Sequence, residues 1–98
     1  MSSKALWVEM HAKPGKEQEV ADFLAGALPL VEAEPATRTW YALRIGESRF
    51  GIFDTFDDDE GRDAHLSGKV AEALMAKAGD LFSQPPTIDH SDVLADKH

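Results

Sequence analysis

The amino-acid sequence predicts an α+β fold of ferredoxin-like βαββαβ order, a four-stranded antiparallel sheet with both helices on one of its faces. Three observations predict it. Strand-like alternation and helix-like stripes succeed one another in that order along 98 residues. Turn and breaker residues stand at each junction. The two middle strands are also apolar on both sides. Two helices cover only one face of a sheet, and a contiguous bare apolar patch is unusual on a soluble monomer. The third observation therefore predicts a homodimer in which two sheets meet as an α+β barrel.

The first strand is expected over residues 5–12, Ala-Leu-Trp-Val-Glu-Met-His-Ala. Leu6, Val8 and Met10 fall on one face, with Trp7, Glu9 and His11 on the other. Lys13-Pro14-Gly15 breaks this pattern and opens a helix. From about Lys16 to Glu32, Val20, Phe23, Leu24, Ala27, Leu28 and Val31 recur at spacings of three and four, one buried stripe. Pro29 is expected to kink the last turns, and Pro35 to lie beyond the end, at about Glu34. Two β-branched and aromatic runs follow, Thr37 to Ile45 and Arg49 to Phe56. Gly46-Glu47-Ser48 between them is short enough for a hairpin. The first run carries Trp40 and Ala42 on one side and Tyr41 and Leu43 on the other. The second carries Phe50, Ile52 and Phe56 on one side and Phe53 on the other.

Asp57 or Asp58 is the expected N-cap of the next helix, with Asp57 and Glu60 at capping-box spacing. The run Asp57 to Glu60 has a second meaning open to it, a site for a hard cation. The helix through Arg62 and His65 is interrupted near Ser67-Gly68. A further stretch places Val70, Ala73, Leu74, Ala78 and Leu81 on one stripe, with Gly79 expected to weaken or end it. Pro85-Pro86 then forces extended backbone into a last strand, Thr87 to Leu94.

The length allows a single domain over 1–98, which buries roughly 60–68% of its unfolded surface. No cysteine is present, so disulfides and thiolate metal sites are excluded, and oligomerisation is the remaining common source of extra stability. Ten basic against eighteen acidic residues give a net charge of −8, which argues against nucleic acid and anionic membranes as partners. No signal-peptide-like or membrane-spanning stretch is evident, and a cytoplasmic location is expected.

The chain resembles the antibiotic-biosynthesis monooxygenase family of dimeric α+β barrels. The resemblance runs from Val8 to the last strand. It is carried by Lys13-Pro14-Gly15-Lys16-Glu17, by Glu34-Pro35, and above all by Phe50-Gly51-Ile52-Phe53-Asp54-Thr55-Phe56 followed by an acidic helix start and Ala64-His65-Leu66. It implies cofactor-free oxygenation of a small aromatic quinol or phenol by molecular oxygen. A non-catalytic dimer that binds a small molecule or serves in stress is the alternative, and a haem-binding or haem-degrading barrel the second. Frequent members carry glutamate at Asp54 and a second histidine or aromatic residue where this chain has Gly68, Lys69 and Val70. A mechanism that needs two histidines in this helix is therefore not expected.

Such chemistry requires a base, a water-excluding apolar cavity and a donor for the oxyanion. His65 is the candidate base, since imidazole titrates near neutrality; a half-buried structural histidine is the other reading. Trp40, Tyr41 and Phe53 are candidates to line an aromatic pocket, or else core and dimer contacts. Arg44 and Arg62 are candidate oxyanion donors, or else ion-pair partners of Asp54 or the acidic run. In the haem reading His65 would be the axial ligand. His11, beside Glu9 on its strand face, would make a metal pair only if His90 came close. No metal and no bound cofactor is expected.

Overall fold

A computed structural model describes residues 2–98; Met1, the first residue of the expected 1–98 domain, lies outside the described residues. In chain order the elements are β1 (Lys4–His11), α1 (Glu17–Gly26), α2 (Leu28–Glu32), β2 (Thr37–Arg44), β3 (Arg49–Phe56), α3 (Asp59–Leu66), α4 (Lys69–Leu81) and β4 (Thr87–Asp92). The four strands form one sheet in the order β2-β3-β1-β4, every pair antiparallel. This is the predicted ferredoxin-like α+β topology.

Each predicted helix is divided in two, for different reasons. Pro29 has no N–H to give the Ala25 carbonyl, so the first helix breaks at Ala27 and α2 begins with the proline in its first turn. The second is divided at Ser67-Gly68, as expected, and the chain restarts as α4. Gly79 does not end α4, which continues to Leu81; a mid-helix glycine costs only about 1 kcal/mol, and packing of buried Leu74 and Leu81 outweighs it. The cap of α3 is Asp58, whose side chain accepts from the Gly61 N–H at 2.9 Å. Asp59 and Glu60 lie in that helix's first turn, at the positive end of its dipole. The turn before α1 requires Gly15, at φ +84°.

The faces follow from the strand period. Leu6, Val8 and Met10 of β1 and Phe50, Ile52 and Phe56 of β3 are buried under the helices. They meet Val20, Leu24, Leu74 and Leu81, as the two helical stripes predict. Phe23 is half-buried and Leu28 exposed, so the predicted first stripe is narrower than drawn. A smaller cluster of Ala27, Val31 and Val70 adjoins, and Trp40 packs against both.

The opposite sheet face is uncovered by this chain. Trp7, Phe53 and Tyr41 stand abreast there, in register across β1, β3 and β2. The Tyr41 and Phe53 rings stack at 6.5 Å. Tyr41 is 53% exposed, Leu43 42% and Phe53 37%. Trp7 lies over Gly51: a Cβ there would stand 2.3 Å from the indole ring, so only glycine leaves it room. No described helix is long and apolar enough to cross a membrane.

Candidate functional site

His65 lies in the last turn of α3, 7% exposed, on the helix's sheet-facing side. Two carboxylates hold its ring. Nδ1 is 2.5 Å from Glu34 Oε1, and Nε2 is 3.0 Å from Asp54 Oδ2. Glu34 comes from the connection between α2 and β2, where Thr37 Oγ1 donates to the same oxygen at 2.8 Å. Asp54 is fully buried on β3, at an alternation position between Ile52 and Phe56 that would otherwise be apolar. The Phe56 ring packs on the imidazole at 5.4 Å. Three separate elements thus converge on one histidine.

The electrostatics follow from burial. Loss of water disfavours the imidazolium, but hydrogen bonds and charge from Asp54 and Glu34 together outweigh this and raise the His65 pKa above its ordinary value. Burial pushes the Asp54 carboxyl up; His65 draws it back in part, and the Glu34 charge adds to the rise. A paired carboxylate is ordinarily held low, so desolvation dominates at this fully buried position. Groups this close exchange protons as a unit. The Asp54–His65 contact lacks in-line hydrogen-bond geometry and is an ion pair only when the imidazole is protonated, and both Asp54 oxygens retain unfilled acceptor capacity. The Trp40 Nε1 donor, directly across the β2–β3 ladder from Asp54, is likewise buried without a partner.

His65 also lines a cavity of about 160 Å³ between sheet and helices. Leu6, Val8 and Ile52 form its sheet wall and Val70 and Leu74 its α4 wall. Among the described residues, His65 is its one ionisable lining residue. The cavity is therefore apolar with a single proton-exchanging group in its wall.

The other sequence-predicted site residues do not gather there. Trp40 is on the helix face, bordering a separate surface cleft with Glu34 and Arg38. Tyr41 and Phe53 lie on the open face, the far side of the sheet from His65. Arg44 sits over the Phe50 ring at 5.2 Å and donates to the Gly46 and Glu47 carbonyls. Arg62 donates to the Ala5 and Ser91 carbonyls and to Asp59 at 3.1 Å, tying α3 to β1 and β4. Asp54, considered as a partner for either arginine, pairs instead with His65. His11 bonds Glu9 at 3.1 Å, and Arg49 holds that carboxylate with two nitrogens. His90 aligns with Leu6, on the opposite face from His11. Among the described residues no group of three or more ligating side chains is placed to hold a metal ion.

Sequence reasoning did not select Glu34 as a site residue. An inward-facing Asp54 between two core residues was the signal that a buried partner is needed. Nothing local links Glu34 to His65, which is 31 positions away.

No protein-family model and no curated protein matches the chain. Solved structures do. A Nitrosomonas europaea protein of unknown function is 53% identical, covering 100% of this chain and 95% of that one, with a TM-score of 0.98. A Caulobacter crescentus protein provisionally named an antibiotic biosynthesis monooxygenase has 15% identity over 96% of this chain and 92% of its own, TM-score 0.82. A Mycobacterium tuberculosis protein has 15% identity over 99% and 100%, TM-score 0.85. At 15% identity the likeness is one of fold.

Proposed function

From a chain that belongs to the family of the Nitrosomonas europaea protein and shares the fold of proteins named antibiotic biosynthesis monooxygenases, we propose a homodimeric, cofactor-independent monooxygenase of small aromatic quinols or phenols. The observation that carries this reading is His65, one ionisable group in the wall of an apolar cavity, backed by two carboxylates.

The chemistry balances without a cofactor. A phenol and dioxygen give a quinone and water: one oxygen atom enters the ring, the other leaves as water, and the ring supplies all four electrons. The protein must remove the hydroxyl proton, exclude bulk water and return protons to the reduced oxygen. Asp54 and His65 act as one acceptor. Glu34 disperses the charge as the imidazole gains a proton. The base is thus the carboxylate–imidazole–carboxylate unit rather than His65 alone.

The dimer belongs to the same proposal. A second copy seated on the open face covers Tyr41, Phe53 and Leu43 and closes the barrel, with the single domain 1–98 as its repeating unit and the cytoplasm as its place. One observation favours the non-catalytic alternative. Both His65 nitrogens are already engaged, the arrangement of a structural clamp.

Oxygen uptake with a panel of reduced quinols and phenols decides between them. The oxygenase reading expects uptake by the wild type and at least a hundredfold loss in Asp54→Asn and His65→Gln, in protein whose circular dichroism is unchanged. Ligand binding with no uptake by the wild type selects the clamp.

A further inference from the structure

The walls of the His65 cavity are not uniform. Leu6, Val8, Ile52, Val70 and Leu74 are all at most 6% exposed and make its depth. Met75 and Ile88, which also line it, are 55% and 40% exposed and therefore stand at its mouth. That mouth opens between α4 and the edge strand β4, on the helix side of the sheet, away from the open face that a second copy would cover.

From this geometry we infer that the ligand is a single-ring phenol or quinol carrying an alkyl substituent, its ring against His65 and its chain leaving between Met75 and Ile88. The inference rests on the phenol reading above and adds size and shape to it. About 160 Å³ matches one ring: a dry apolar cavity of roughly 150 Å³ takes up benzene. A fused second ring exceeds the enclosed volume, because protein interiors are packed too tightly to yield a further ring's width. A flexible chain of equal carbon count threads the mouth instead. The flexible thioether of Met75 suits a chain of variable length, and Ile88 forms the opposite lip.

Two pairs of ligands test this, with affinities measured by calorimetry under argon so that no turnover is needed. Along phenol, 4-ethylphenol and 4-propylphenol, Kd should fall by about fourfold per added methylene. 2-Naphthol, nearly matched in carbon number to 4-propylphenol, should bind at least tenfold more weakly. Met75→Ser and Ile88→Thr, both at exposed positions, should flatten the chain-length series while leaving the affinity for phenol itself within twofold. Equal affinity for 2-naphthol and 4-propylphenol, no dependence on chain length, an unchanged series in both variants, or no binding at all overturns the inference. Chain-dependent binding without oxygen uptake under air leaves it standing and removes the oxygenase. Uptake without chain dependence does the reverse.

Discussion

The two faces of the sheet solve opposite problems. Under the helices, a well-packed apolar layer contains buried Asp54 and His65, which Glu34 reaches from a partly exposed position in the α2–β2 connection. On the open face, a row of large aromatic side chains, Tyr41, Phe53 and Trp7, runs into Asp89 of the edge strand, with the Glu9–Arg49 pair on the same face. A polar group inside and apolar groups outside are both costly placements, and they teach the same lesson. Each is a place that the proposed function fills with a second party, a ligand in the cavity and another copy of the chain on the open face.

The inner face can be broken by removing the counter-ion of Asp54. His65→Leu leaves a fully buried carboxylate without its cation, a defect that typically costs about 3–5 kcal/mol. Urea unfolding should show the loss as a lowered midpoint at pH 7. Adding Asp54→Leu should restore much of it, since replacing both members of a buried pair by apolar residues is often neutral. If His65→Leu alone unfolds like wild type, the inner face contains no working ion pair.

The outer face should respond to charge in another way. Phe53→Asp places a carboxylate in the aromatic row and forfeits about 2 kcal/mol of apolar burial per protomer if that row is an interface. Twofold symmetry makes the change count twice. Sedimentation at micromolar concentration should then shift from dimer to monomer, or the thermal midpoint should become strongly dependent on concentration. A wild type that sediments as a monomer removes the interface altogether.

What could be read in advance divides along the same line. The elements, their order and the inward set Leu6, Val8, Met10, Phe50, Ile52 and Phe56 were legible, because periods of two and of three to four are local properties of a chain. The exposed Phe53 was legible for the same reason. His65 was singled out as candidate base or half-buried structural histidine; the structure shows it buried, and its partners were not foreseen. Glu34 reaches it across 31 positions, and only the α2–β2 connection packing on α3 brings the two together. Grouping Trp40 with Tyr41 in one pocket was never possible for adjacent strand residues, which point to opposite faces. Pro29 announced a break in the first helix; Gly79 announced one in α4 that tertiary packing overrode.

The smallest effect separates the faces by pH. His65 has its folded pKa raised, so its contribution is whole below about pH 6.5, the unfolded value, and is lost as pH rises through the folded one. Asp54 is also raised and declines in the same direction, but from the carboxylate range upward. Glu9, on the outer face, is lowered by Arg49; its contribution is present above the ordinary glutamate pKa and fades as pH falls through its folded value. Stability above pH 6.5 should therefore decline in wild type and stay flat in the His65→Leu/Asp54→Leu double variant, which removes both raised groups, whereas Glu9→Gln should alter only the acid limb. Urea midpoints taken from pH 4 to pH 9 resolve this. An alkaline decline that persists in that double variant would mean that the buried pair is not what titrates.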